Sequence, residues 1–205
     1  MIDDLTADEV RRVLKLEPHA TCGFVRVSFI SKKHIAPGGL PPPFVDGRPA
    51  GSALYFMVTP DAPVRLHRIR NDQLYHYYLG DPIEVLLLHA DGTSEHVIVG
   101  PDLRSGHRLQ LLIPGDTFHT ARVIGDRRWF LGASTEWPGV EPVDVEIGDV
   151  DAGKIRLASD WTNRCEIVSL KMNAIIAVGR WIRKSLQVRL SRGSRQLRFA
   201  STKQC

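Results

Sequence analysis

The sequence predicts a mainly β domain, a sandwich or a barrel of short strands with one short helix at its start. Two observations predict it. Segments rich in β-branched and aromatic residues recur at close spacing with turn residues between them. Thirteen prolines and seventeen glycines among 205 residues favour turns and short strands over long helices. A chain of this length builds one domain with a sizeable core.

The elements follow in order. Thr6 stands three residues before Glu9, the spacing of a capping box, and Leu5 can staple against Val10. Val10, Val13 and Leu14 continue an apolar face, and Pro18 is expected to end the helix. Strands are expected over Phe24–Phe29, Ala53–Val58, Arg65–Ile69, Leu74–Leu79, Ile83–His89, Glu95–Val99, Arg108–Ile113, Thr117–Ile124 and Arg128–Thr135. Asp91-Gly92 and Gly125-Asp126 mark turns between them. Residues 32–51, dense in proline and glycine, read as a long surface loop, with a lid as the alternative.

Composition excludes some function classes. The tail over 160–205 carries +8, which leaves −4 on the body of the chain, so the basic balance belongs to the tail. Within the tail, apolar residues from Ile167 to Ile182 suggest an amphipathic helix with basic residues around it. A charge run is more often a solvated face, so no nucleic-acid partner is expected. No run of about 18 uncharged apolar residues predicts a membrane span. The N-terminus MIDDLTADEV carries no signal-peptide core. Cys22, Cys165 and Cys205 form no C-x-x-C pair, which suggests free thiols in a reducing, cytoplasmic compartment. The expected organisation is one β domain over 1–159 and a basic extension over 160–205.

Two stretches carry chemistry. LHRIRNDQLYHYYLGDP places His67, Gln73 and Gly80 at the spacing of the first cupin motif, H-x-H, then E, then G. Ile69 stands where that motif has its second histidine, and Gln73 where it has glutamate. Pro114-Gly115-Asp116-Thr117-Phe118-His119 resembles the second motif, P-x-G-x-x-H, with Asp116 in place of its glycine. Five further blocks resemble the cupin-5 family, a group of domains of unknown function. They are LEPHATCGFVRVSF, SALYFMV, LHRIRNDQLYHYYLGDPIEVLLL, LQLLIPGDTFHTA and LGASTEWPGVEPVDVEI, in the family's order over residues 14–148. The resemblance implies a double-stranded β-helix, the cupin jelly-roll barrel, related in fold to deoxysugar-nucleotide epimerases, and it implies a homodimer. It implies no reaction, because fold alone does not supply one.

Cupin metal sites use imidazoles and a carboxylate from adjacent strands. Two of the three histidines and an amide remain here, so no metal or other cofactor is expected. Were a divalent ion held, its ligands would be His67, Gln73 and His119. Strand alternation puts His67, Gln73, Tyr75, Tyr77 and His119 on the interior, with His76 and Tyr78 opposite. Tyr55 and Arg26 are expected near the same mouth, and Arg26, Arg65 or Arg68 could hold a phosphate. This set suits a planar polar ligand such as a nucleotide or nucleotide-sugar. Two alternatives stand beside a metal-independent binder. One is a sugar-nucleotide epimerase, in which His67 or His119 takes a proton and Tyr75 returns one. The other is a metal-dependent oxygenase or isomerase.

Overall fold

The computed structural model describes residues 5–151 and 154–157. The expected tail helix, Cys165, Cys205 and the boundary at 159 lie outside the described residues.

The first helix, α1 (Ala7–Leu14), begins as its sequence requires. The Thr6 hydroxyl accepts from the Glu9 amide at 3.2 Å, and Glu9 accepts from the Thr6 amide at 2.8 Å. It ends before Pro18, because Lys15 turns left-handed at φ 53. Five further strands flank the nine expected ones. In chain order the strands begin with β1 (Glu17–Pro18), then β2 (Phe24–Ile30), β3 (His34–Ile35), β4 (Arg48–Pro49) and β5 (Ser52–Val58). Next come β6 (Val64–Ile69), β7 (Asp72–Gly80), β8 (Ile83–Leu88), β9 (Ser94–Val99) and β10 (Gln110–Ile113). The series closes with β11 (Phe118–Val123), β12 (Phe130–Trp137), β13 (Val145–Asp151) and β14 (Lys154–Leu157).

Two six-stranded antiparallel sheets result, ordered β1-β2-β5-β12-β7-β10 and β14-β13-β6-β11-β8-β9, with β3 and β4 as a separate ribbon. This is the jelly-roll arrangement that the resemblance implies. Its inner faces meet in one core, where Phe56, Tyr75 and Phe130 of the first sheet pack with Val64, Val85, Leu87 and Ala121 of the second. Along β5 the alternation is strict. Phe56 and Val58 join that core, whereas Tyr55 and Met57 turn outward to a second cluster with Val10 and Leu16 of the helix region. Burying α1 on this outer face is what fixes the N-terminal segment to the barrel.

The proline-rich stretch is not a detached surface loop. Its ends pair as β3 and β4, Phe44 is buried, and Arg48 is 2% exposed against Asp144 at 0%. Arg48 donates to both carboxylate oxygens of Asp144, at 3.0 and 2.9 Å, and to Asp46 at 2.5 Å. A cation cannot be buried without such partners, so the segment is held down by charge. The tight turn after β7 also has a local cause. A Cβ at Gly80, φ 86, would lie 2.3 Å from the Trp129 carbonyl oxygen.

Candidate functional site

The two motif histidines meet in the second sheet. His119 on β11 pairs directly with His67 on β6, and their ring centroids lie 4.2 Å apart. The turn that delivers His119 needs a left-handed residue at the motif's glycine position. Asp116 adopts it, at φ 60, as a short polar side chain can. Asp72 accepts from the Gly115 amide at 2.8 Å and so braces this turn rather than orienting a histidine.

Each ring is fixed by its own strand. His67 Nδ1 bonds the Arg65 carbonyl at 2.8 Å, and His119 Nδ1 bonds the Thr117 carbonyl at 3.2 Å. A carbonyl only accepts, so Nδ1 carries the proton and Nε2 presents a lone pair. The His119 lone pair accepts from the Tyr75 hydroxyl at 3.0 Å across from β7. The His67 lone pair faces the Cys22 thiol at 3.9 Å. Cys22 contacts the Thr21 hydroxyl at 3.3 Å, which contacts His19 Nδ1 at 3.2 Å. A chain of exchangeable groups thus runs from the exposed His19 to the buried His67.

The facing sheet adds Gln73 and Glu136, directly paired between β7 and β12 and almost wholly buried. Glu136 accepts from the Ser134 hydroxyl at 2.5 Å and the Ser52 hydroxyl at 2.6 Å. Gln73 Oε1 is buried and has no hydrogen-bond donor among the described residues.

Burial drives every ionisable member of this cluster toward its neutral form. Burial takes His67 down to about 4, against a smaller opposing effect of the Arg65 carbonyl. His119 is held well below the usual imidazole range by burial and then by its neighbour His67. Burial pushes the Cys22 thiol up to about 11, the Tyr75 phenol well up, and the Glu136 carboxyl up against its two serine donors. Burial thus disfavours charge throughout this interior, which offers hydrogen-bonding groups from both sheets.

Four of the expected site residues, His67, Gln73, Tyr75 and His119, come together. Tyr77 shares their sheet face, but its hydroxyl donates to the Gly80 carbonyl at 2.8 Å and its ring packs beside Phe130. Tyr55 points to the outer face, edge-on to Tyr78 with centroids 6.1 Å apart. Arg26 is exposed and reaches the Leu14 carbonyl at 3.2 Å, behind the helix rather than in the interior. Arg65 is exposed too, with its guanidinium toward the Ala20 carbonyl at 3.4 Å. Arg68 is tied to Glu146 at 2.9 Å. The outward facing of Arg26 and Arg65 withdraws the phosphate contacts expected of them. Arg65 shares His67's parity, but the register of β6 against β11 shifts between His67 and Val64 and turns it outward.

Sequence reasoning missed Cys22, Glu136, Ser134 and Ser52. Alternation along β12 could have found Ser134 and Glu136, since Phe130 is an evident core residue of even number.

The donor set does not fit a resident metal. Gln73 supplies no charge, both Nε2 atoms face protein hydrogen-bond donors, and the nearby carboxylate is held by two serines. Among the described residues no group of three His, Cys, Asp or Glu could hold a metal ion.

Comparison with known proteins agrees with this barrel. The family described as Cupin superfamily (DUF985) matches residues 8–148. No curated protein matches. A hypothetical protein from Leishmania major is 26% identical with TM-score 0.63, over 70% of this chain and 87% of its own. A protein from Shewanella oneidensis is 25% identical with TM-score 0.61, over 70% of this chain and 84% of its own. A dTDP sugar isomerase from Desulfovibrio desulfuricans G20 is 21% identical with TM-score 0.44, over 62% and 85%, a likeness that bears on neither ligand nor reaction. No helix among the described residues is long and apolar enough to cross a membrane.

Proposed function

The chain belongs to the DUF985 family of the cupin superfamily, and on that premise we propose that it is a metal-independent binder of a small polar organic molecule. The ligand lies between the sheets against His67, Gln73, Tyr75 and His119. One observation carries the reading. These polar side chains, from both sheets, are buried together at motif positions, where a core built for stability alone would be apolar. Burial disfavours charge among these groups, so they suit the sugar or base of a nucleotide or nucleotide-sugar rather than its phosphates.

A thermal-shift screen with UMP, UDP-glucose and dTDP-glucose tests it. A bound ligand at 100 times its Kd stabilises the fold by about 2.7 kcal/mol. The double variant His67→Ala, His119→Ala abolishes the shift. Should no member of the series move Tm, the nucleotide reading is wrong. Elemental analysis of the same preparation is expected to find no stoichiometric divalent metal.

The Tyr75–His119 hydrogen bond favours a second reading, an isomerase of epimerase type. His67 Nε2 takes a proton from carbon next to a carbonyl, and Tyr75 gives its hydroxyl proton to the opposite face. Turnover in deuterated water then places deuterium on that carbon, and its absence leaves binding alone.

The reading includes a homodimer in the cytoplasm. Val27, Phe29 and Ile30 of β2 are each more than half exposed, which supports a covering partner. Cys22 is a buried free thiol, as a reducing compartment allows. Sedimentation velocity checks the dimer, and Phe29→Glu is expected to give monomers.

A further inference from the structure

We infer that Gln73 and Glu136 together form a subsite for the hydroxyl groups of a sugar or polyol, an inference that rests on the small-ligand reading above. Three observations meet here. Gln73 Oε1 is buried in a residue only 4% exposed, and no described group donates to it. An acceptor left so costs stability unless something supplies a donor. Its direct cross-strand partner is Glu136, 3% exposed, on the same inner face. Paired residues on one face have Cβ atoms about 5 Å apart, so one small molecule can reach both.

The polarity of the second group is fixed by its own neighbours. The Val140 amide donates to the Ser52 hydroxyl at 3.1 Å, and that hydroxyl donates to Glu136 Oε2. Ser134 donates to Oε1. A carboxylate has room for about four hydrogen bonds, so two acceptor positions remain after the serines. The amide oxygen and the carboxyl thus present acceptors to the same space. What they call for is a ligand with donors. A cation is the poorer match, because the groups around it (His67, His119, Tyr75 and Cys22) are held neutral and only one carboxyl would offset its charge. Hydroxyls fit without any charge to desolvate. The pair also accounts for the departure at Gln73. The carboxylate lost from the motif position reappears one strand away, on Glu136, turned from metal ligation to hydrogen bonding.

The test is titration calorimetry with UDP-glucose, its monodeoxy analogues and UMP, on the full chain and on three variants. Gln73→Met removes the acceptor at nearly constant volume, and Glu136→Gln keeps shape while replacing one acceptor with a donor. His67→Ala, His119→Ala reports the rest of the pocket. Each subsite variant is expected to weaken UDP-glucose about tenfold and to weaken UMP, which lacks the glucose hydroxyls, far less. One deoxy analogue should lose the same factor in the wild type and nothing further in Gln73→Met, as a coupled pair requires. If UDP-glucose binds and only the histidine variant weakens it, the pocket stands and the subsite is wrong. If UDP-glucose and UMP both fail to bind the wild type, both readings fall. Unliganded Gln73→Met should melt at the wild-type temperature. A drop of many degrees in Tm would show that Gln73 is a satisfied core residue, and would overturn the inference.

Discussion

Two regions of this barrel bury polar groups by opposite means. Between the sheets, His67, His119, Tyr75, Cys22 and Glu136 are each shifted by burial toward the uncharged form. Around the β3–β4 ribbon, Arg48 is buried against Asp144, and Asp144 above all raises the guanidinium's affinity for its proton. The difference lies in partners. Arg48 makes a two-pronged contact with one carboxylate and a further bond to Asp46, whereas no interior group has a partner of opposite charge against it among the described residues. A paired charge anchors a segment. The interior groups instead hold one another by single hydrogen bonds.

Breaking the pair should cost most. Arg48→Met removes the two-pronged partner of the buried Asp144, leaving it Arg70 at 4.0 Å and the Glu141 amide, and is expected to cost about 3 kcal/mol, read by urea unfolding. Replacing both residues with apolar ones of similar volume should recover most of that loss. If the single variant unfolds like the wild type, the segment is not anchored by charge.

Acid should strain the interior next. With His67 at about 4 when folded and 6.5 as a free imidazole, the unfolded chain takes up a proton that the folded chain refuses. Stability is complete above pH 6.5 and is lost as pH falls to about 4, by about 3 kcal/mol from this group. His119 works in the same direction. Glu136 opposes them, since a carboxyl raised in the folded state favours folding as pH falls. Urea midpoints at pH 7 and pH 4 check the net sign, and His67→Phe should flatten the curve.

Tyr75→Phe removes the donor to His119 Nε2 and leaves a buried lone pair, at about 1–3 kcal/mol. Gln73→Met sits at the bottom of the series, within about 0.5 kcal/mol of wild type, because its oxygen has no donor to lose. The spread from Arg48 to Gln73 separates groups that hold the fold from groups available to a ligand.

Much of this was legible beforehand. All nine expected strands exist, because the β-branched and aromatic runs and the turns between them are local signals. The capping box at Thr6 and Glu9 is equally local. His67, Gln73, Tyr75 and His119 converge as alternation along single strands predicts. Legibility fails where position depends on a distant element. β13 and β14 were missed, and so was Asp144, which is 96 residues from Arg48. Arg26 and Tyr55, directly paired across β2 and β5, were placed in the mouth, but both lie on the helix-facing side.

The sequence alone determined the class of fold, the family and the two histidine positions, since each rests on spacing within a strand or a turn. Only the tertiary structure decided what those histidines face. The sheets pack face to face, so the groups opposite His67 and His119 come from segments far away in the chain. That packing set Tyr75 against the His119 lone pair, while a bridge between Cys22 and Val64 of β6 brought the thiol to the His67 lone pair. Strand pairing within the first sheet, between β7 and β12, set Glu136 beside the motif's Gln73, which no local pattern could reveal.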